Sequence, residues 1–587
     1  VRPEQHDEPS PANHVTNRST GSRKFSLPFC LLLFAIGLQL LNIGLSGICG
    51  VKTWTDPLAS YTLIPSRERG APFNTVEWPQ PDDITQTDYY FLAWWSPGHY
   101  VIPWTLAGVT GIPLHRIEWL IVSICVIGGG IGLWRLYRLL GFQGDVLWLA
   151  LALPFLTRDR IFGMLDYTGG SIMEFAAWPW LALLALRTSR PSPLQIAALL
   201  MAGLIAFFLK SSLLIAFAAL LLFQIMMQLP ESSINPFHLI TVFRDDRVAR
   251  RNILLYLTTG LVVIGILYPL YMTKGASPPS SHLADYYDFG DDYSLVEKLF
   301  YTSASPIIGI FSTAGKLVEV IAARLDASQQ LRWGYHILLI VFSTFFLGLI
   351  YQVIRCQKYS KEYKRLLLSH ALVFVCVFGY LYITESVVSM ELRHLIALFL
   401  VSIPAIASLS QLPKIRFATT VLIAGIFLSA ILGEVLFLQR WNYRMHHTEV
   451  VEGLIVEREL LKDIRAVEKL DEELGGSSTL FYITPPNPHL ELQMKRSRVY
   501  PLALAQIGIP KLRHTPYYRW DEPHGGRIKR IIFVTDSERV NGELPASYFT
   551  DVDQFNLLMQ TPTSFFWIAE HTGSTGKQLR LPAHNVR

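Results

Sequence analysis

Thr53-Trp-Thr-Asp56-Pro, then Glu77-Trp-Pro-Gln-Pro-Asp82-Asp83, then Thr87-Asp88-Tyr89-Tyr90-Phe91-Leu-Ala-Trp94-Trp95-Ser96-Pro97-Gly98-His99-Tyr100: these three pieces form a polar stretch between the first two apolar runs of the chain. Connections in helical bundles are short, so a loop occupying 49–116 needs a reason. Tyr and Trp side chains anchor at the headgroup level of a bilayer, and carboxylates interleaved with them work just above it. That combination suits chemistry on a molecule with a polar head and an apolar tail. The loop is therefore the expected seat of the active site.

The rest of the chain supports a membrane setting. Of its 587 residues, 51% are hydrophobic and only 17% charged, and the mean hydropathy is +0.32. Soluble domains carry about 25% charged residues. The net charge of +5 calls for no nucleic-acid partner, because Lys and Arg fall mostly in short connections between apolar runs. Residues 1–24 are polar and read as a disordered cytoplasmic tail ending in Arg23-Lys24. The apolar run that follows lacks a small-residue cleavage site and reads as a retained signal anchor.

A bilayer core of roughly 30 Å takes about 20 apolar helical residues. Eleven runs qualify or come close: 25–47, 117–137, 146–155, 172–186, 194–208, 212–227, 253–272, 337–354, 366–383, 392–409 and 419–438. With eleven crossings every basic cluster falls on one side. These clusters are Arg23-Lys24, Arg135 with Arg138, Arg187 with Arg190, Arg244 to Arg251, Arg355 to Arg365, and Lys414 with Arg416. The positive-inside rule makes that side cytoplasmic. The other side then carries the loops 49–116, 156–171 and 273–334 and the region 440–587. The last is long enough to be a domain. Val450, Leu454, Leu461, Ile464 and Val467 predict an amphipathic helix ending at Gly475-Gly476, and strand-like runs follow at 479–484, 530–535 and 564–569. A polytopic α-helical membrane domain over 25–439 with an extracytoplasmic α/β domain over 440–587 is the expected architecture. All five cysteines, Cys30, Cys49, Cys125, Cys356 and Cys376, lie in or beside apolar runs, so neither a disulfide framework nor a CxxC metal site is expected.

Among the acids of the first loop, Asp56 and Asp88 are the preferred candidates. Asp56 lies close to the outer end of the first span, and Asp88 opens the Tyr-Tyr-Phe to Trp-Trp stripe. A carboxylate there can take a proton from an acceptor hydroxyl or amine as a general base. Tyr89, Trp95 and His99 belong to the same substrate-facing stretch. Asp166 and Glu174 fall at the edge of the fourth span, where ionisable groups are costly unless paired or functional. Asp159 lies between Arg158 and Arg160 and reads as a structural ion pair. Lys210 interrupts an apolar run too long for one crossing, so the chain is expected to turn at Lys210-Ser211-Ser212 on the external side. Glu391-Leu-Arg393-His394 opens the tenth span on that same side, and a guanidinium fork at the mouth of a span suits a phosphate. Asp285 to Tyr293 is acidic but does not match a calcium loop.

In organisation and in a few short motifs over roughly 25–440, the chain resembles the polytopic GT-C-type glycosyltransferases, the broad group of protein O-mannosyltransferases and lipid A aminoarabinose transferases. Ser96-Pro97-Gly98-His99-Tyr100-Val-Ile-Pro-Trp with Gly108 and Gly111-Ile-Pro is similar to the family's Pro-Pro-Leu-Tyr-Tyr-Trp…Phe-Gly stretch. Phe208-Leu-Lys210-Ser is similar to its Leu-Thr-Lys-Gly hairpin, and Glu391-Leu-Arg393-His394 with Pro404 to its Arg-Tyr…Pro element. The family's adjacent Asp-Glu is absent: Pro57 follows Asp56, so either Asp56 or Asp88 stands at the catalytic position. Trp94-Trp95 is followed by Ser96-Pro97, which sets the oligosaccharyltransferase pattern aside.

The resemblance implies an inverting transferase in a bacterial inner (plasma) membrane, with its site on the outer face. It would move a sugar from a polyprenyl-phosphate donor to a lipid, glycan or protein acceptor. Asp56 or Asp88 would be the base with Asp166 assisting. Arg393 and Lys210 would hold phosphate, and His394, Glu391, Tyr89, Trp95 and His99 would contact substrate. A divalent cation is compatible with this chemistry, though no site for one is evident. The competing reading is a transporter or flippase of a lipid-linked or amphipathic substrate. It predicts inverted repeats and charges deep within several spans, and the sequence shows neither.

Overall fold

The structure, a computed structural model, describes residues 26–79, 87–91, 96–157, 163–187, 191–230, 238–272, 295–310, 328–383, 392–411, 416–484, 487–500, 529–536 and 555–570. From the amino end the elements are α1 (Leu27–Cys49), β1 (Lys52–Thr53), α2 (Thr55–Tyr61), α3 (Leu63–Glu68), β2 (Thr75–Pro79), β3 (Thr87–Phe91), α4 (Gly98–Thr110), α5 (Leu114–Leu139), α6 (Gly144–Phe155) and β4 (Asp166–Tyr167). The helical middle continues through α7 (Gly170–Arg187), α8 (Pro193–Leu209), α9 (Ser211–Met226), α10 (His238–Asp245), α11 (Arg247–Leu267), α12 (Leu295–Ile310), α13 (Ser328–Arg355), α14 (Lys361–Ile383), α15 (Ile396–Ser408) and α16 (Arg416–His447). Then come β5 (Thr448–Val451), β6 (Leu454–Glu457), α17 (Leu461–Leu474), β7 (Thr479–Thr484), α18 (Pro488–Glu491), β8 (Arg498–Tyr500), β9 (Arg530–Asp536), β10 (Asn556–Gln560) and β11 (Ser564–Glu570).

Each of the eleven apolar runs is a helix. Six helices among the described residues are long and apolar enough to cross a membrane, and shorter apolar helices fill in between them. α6, with 12 residues, reaches only about 18 Å and is buried along most of its length. The break between α8 and α9 falls at Lys210, whose backbone is extended at φ −164° and ψ 134°. α8 itself starts on a capping box, Ser192 with Gln195, and has proline in its first turn.

The two ends of the bundle differ in charge. At one end Ser360 Oγ donates to the Leu140 carbonyl at 2.9 Å, and Arg365 donates to the carbonyls of Leu229 and Pro230 at 3.1 and 2.9 Å. Lys358 there bonds Gln411. These contacts gather the basic connections at one end, and the first loop, the α8–α9 break and the start of α15 lie at the other.

Three features depart from the sequence reading. Leu295–Ile310, inside the loop expected over 273–334, is a helix that buries Tyr301, Ala304, Ile307 and Ile310 in the main core. Its apolar residues recur at helical spacing and pack against α13 and α14. The last long helix also runs on to His447, past the boundary expected at 439, because Trp441 and Arg444 bond the Leu45 and Leu165 carbonyls. Beyond it, 448–457 is a hairpin instead of the start of an amphipathic helix. The β-branched run Thr448-Glu-Val-Val favours strand, and Glu452 and Gly453 both have positive φ, 47° and 83°, as a two-residue hairpin turn requires. The amphipathic helix begins only at Leu461.

The C-terminal sheet has the order β10-β11-β9-β7-β8, with β7 parallel to both β8 and β9, and β11 antiparallel to both β9 and β10. Strands 479–484, 530–536 and 564–570 stand where alternating apolar residues placed them. This domain does not form a core alone. Leu58, Tyr61, Leu63, Tyr100 and Leu114 from the first loop and second span share one buried cluster with Leu454, Val456, Ile464, Val467 and the sheet. Polar ties reinforce the junction: Lys52 to Glu457 at 2.8 Å, Arg69 to the Met494 carbonyl at 3.0 Å, and His115 N–H to the Gly453 carbonyl at 2.7 Å.

Candidate active site

The segment carrying Asp56 is pinned from below. β1 pairs in parallel with β4, matching Lys52 to Asp166 and Thr53 to Tyr167. Glu118, in the first turns of α5 and fully buried, accepts from Thr53 Oγ1 at 2.9 and 2.8 Å and from Tyr61 OH at 2.8 Å. Glu118 thus holds Thr53, just before α2, and Tyr61, its last residue, and Asp56 lies in the chain between those two anchors. Arg393 Nη1 meets Asp56 Oδ2 at 2.5 Å, with side chains 31% and 27% exposed, so the pair is open to an incoming molecule. Arg393 lies in the short turn Leu392–His394 just before α15.

Lys210 connects this pair to the bundle. Its Nζ donates to Ser171 Oγ at 2.9 Å and to the carbonyl of Arg393, and lies 3.3 Å from Glu174. Ser212 donates to the same Glu174 carboxylate at 2.8 Å. An ammonium has three protons, and Lys210 directs its own at three protein acceptors. Its effect is to fix the backbone of Arg393 and to neutralise Glu174, which is fully buried. His394, next in sequence, stands close to the Lys210 and Arg393 charges.

His99 closes the group from α4. Its Nε2 and Ser60 Oγ share a hydrogen bond of 2.7 Å, Ser60 donates to the Asp56 carbonyl at 2.9 Å, and Tyr167 OH donates to the His99 carbonyl at 2.7 Å. Burial lowers the His99 pKa to about 4, against the opposing pull of Asp56, so the ring is neutral at physiological pH. Two glycines permit this crowding. A Cβ on Gly98 would stand 2.5 Å from the Phe208 carbonyl oxygen. Gly169, at φ +61°, leaves room for His99 and Pro57, whose atoms a Cβ would meet at 2.9 and 3.1 Å.

Five of the residues singled out from sequence, Asp56, His99, Lys210, Arg393 and His394, therefore converge, although the chain separates Asp56 from Arg393 by 337 positions. Asp166, expected as an assisting acid, has its carboxylate held by Arg444 and 3.6 Å from Arg440, both on α16, and so ties the last long helix to β4. Those two arginines stand on the side where the positive-inside rule expects few, and that exception was the readable sign of a buried partner. Asp88 and Tyr89 lie in β3, which pairs with β2 so that Trp78 faces Asp88, and Tyr89 is exposed. Trp95 and Glu391 fall outside the described residues, as do Asp159 and Asp285 to Tyr293. Glu118, Ser60 and Ser171 were not foreseen. For Glu118 the signal was available, since an acid just inside a span demands partners. Among the described residues no group of three or more His, Cys, Asp or Glu side chains is placed to hold a metal ion.

No family model matches the chain, and no curated protein matches it. Solved structures similar to it include the crystal structure of ArnT from Cupriavidus metallidurans bound to undecaprenyl phosphate, at 11% identity and a TM-score of 0.48. The apo state of that protein is similar at 11% identity and a TM-score of 0.47. Each match covers 92% of this chain and 97% of the other.

Proposed function

We propose that the protein is a multi-pass membrane glycosyltransferase of the GT-C type. It takes a sugar from a polyprenyl-phosphate-linked donor and passes it to an acceptor at the outer face of the membrane. The observation that carries this reading is the Asp56–Arg393 pair: a carboxylate and a guanidinium in contact, partly exposed, at the bundle end opposite the basic connections. A donor phosphate competes with Asp56 for the guanidinium fork, which suits bidentate binding of such an oxyanion. When Arg393 turns to the phosphate, the Asp56 carboxylate is released as a base. The acceptor oxygen then attacks the anomeric carbon from the face opposite the leaving group, and its proton passes to Asp56. The bond from that carbon to the phosphate oxygen breaks, and Arg393 stabilises the charge gathering on the departing polyprenyl phosphate. Inversion follows from a single displacement. Lys210 acts through Arg393, whose carbonyl it holds, and His99 stays neutral and orients the α2 segment through Ser60.

Transfer measured with a polyprenyl-phosphate-sugar donor tests the assignment. Asp56→Asn is expected to lower the rate by about 10²–10⁴-fold while donor binding persists, the range of a lost general base. Arg393→Ala is expected to weaken donor binding itself. Wild-type transfer by an Asp56→Asn/Asp88→Asn double variant would remove the base from this loop. A donor phosphate bound instead beside Arg244 to Arg251 would place the chemistry at the other end of the bundle.

A further inference from the structure

The carboxyl ends of the parallel strands β7 and β9 open onto a cavity of about 790 Å³, lined there by Ile483, Val534 and Thr535. The size is that of a small-molecule pocket, about 300–1,000 Å³. The location is informative in itself. β7 is followed by β8 on one side of it, and β9 is followed by β10 and β11 on the other. Adjacent parallel strands whose continuations leave in opposite directions make a topological switch point, and ligands in open α/β sheets bind in the crevice outside the carboxyl ends at such a point. Thr535 is 2% exposed and lines this cavity, and its hydroxyl has no hydrogen-bond partner among the described residues. A buried hydroxyl left unpaired is costly, and a polar ligand in the cavity relieves that cost.

The charges of the wall select the ligand. Lys52, Arg458 and Lys462 stand against Glu457, Glu459 and Asp463, so the lining is balanced overall. Lys52 is paired to Glu457, and Asp463 accepts from the hydroxyls of Thr561, Thr563 and Ser564. A phosphate group requires an excess of cations and a metal ion an excess of acids; this wall has neither. Donors and acceptors interleaved at neutral charge suit a neutral molecule dense in hydroxyls, each of which both donates and accepts.

We infer that this cavity is a carbohydrate site, which seats the neutral saccharide portion of the acceptor while its reacting hydroxyl lies at Asp56. The acceptor role rests on the glycosyltransferase reading; the binding of saccharide does not. Lys52 in the cavity wall precedes Asp56 by four residues, so the two backbones are at most about 14 Å apart, a span that a short oligosaccharide bridges.

The test uses the full chain in lipid nanodiscs, titrated with neutral manno-, gluco-, galacto- and arabino-trisaccharides and separately with inorganic phosphate. At least one trisaccharide is expected to bind. Thr535→Val, which keeps the side-chain shape, is expected to weaken that binding about five- to tenfold, the effect of one neutral hydrogen bond, while the thermal midpoint of the unliganded chain rises because the unpaired hydroxyl is gone. Arg458→Ala and Lys462→Ala, both on exposed positions, are expected to weaken it without altering donor binding. Absence of binding by every trisaccharide at tens of millimolar, or binding indifferent to all three substitutions, overturns the site. Binding of phosphate in place of saccharide, dependent on Arg458 and Lys462, overturns it as well. Trisaccharide binding without any sugar transfer would keep the site and remove the acceptor role. Transfer insensitive to all three substitutions, with trisaccharide binding weakened by them, would keep the site and the transferase and remove the acceptor role.

Discussion

Glu118 shows how much of the site depends on a residue that no substrate touches. Its carboxylate receives Thr53 from one flank of Asp56 and Tyr61 from the other. In Glu118→Met the volume is nearly kept, but both acceptor oxygens are removed, so the Thr53 and Tyr61 hydroxyls lose this partner. A buried hydrogen bond broken in this way costs about 1–3 kcal/mol. The α2 segment then loosens, and the base moves relative to Arg393. Transfer is expected to fall by roughly 10–100-fold in kcat, with donor affinity changed much less, because small displacements of a positioned group are costly. Steady-state rates set beside a direct donor-binding measurement separate the two. Equal losses in both would mean that Glu118 supports the donor site as a whole instead of placing the base.

Among the elements, α4 and the α8–α9 break depend on each other most directly. Gly98 opens α4 against the last turn of α8, and a methyl group there would lie 2.5 Å from the backbone oxygen of Phe208. Neither backbone can yield without displacing Lys210, and with it Arg393. Gly98→Ala is therefore expected to lower stability by about 1–3 kcal/mol, the usual penalty of overpacking, and to abolish most transfer. Gly108 lies on the same helix with nothing within 4 Å of its would-be Cβ, so Gly108→Ala should be neutral or slightly stabilising. Thermal unfolding of the two variants in the same detergent checks the contrast, and similar midpoints would show that the α4–α8 approach is looser than the distances imply.

For the whole molecule, the shared cluster makes the C-terminal domain part of the membrane domain's structure. A chain ending at His447 would expose Leu58, Tyr61, Leu63, Tyr100 and Leu114, all buried in the full protein. Side chains of this kind contribute about 1.5–3 kcal/mol each when fully buried. The sum is comparable to the net stability of a domain. The truncated chain is expected to aggregate on size-exclusion chromatography, or to unfold at a clearly lower temperature. A monodisperse fragment with the full chain's thermal midpoint and donor affinity would contradict this and make the domain an independent appendage.

The sequence by itself determined whatever is local. Apolar runs of helical length became the eleven helices, and alternating β-branched and aromatic residues became the strands 479–484, 530–536 and 564–570. Lys210 set the break between two apolar helices, because a charge inside one uninterrupted span is too costly. It also marked Asp56, Lys210, Arg393 and His99 as residues whose types and positions needed explaining. Which of them meet was decided only by the tertiary structure. Asp56 reaches Arg393 across 337 positions and Asp166 reaches Arg444 across 278, and nothing within a few residues of either acid distinguishes the exposed pair from the buried brace. Local periodicity orients a side chain relative to its own helix or strand. The partner it finds depends on how those elements pack, and that packing is fixed jointly by every buried surface in the chain.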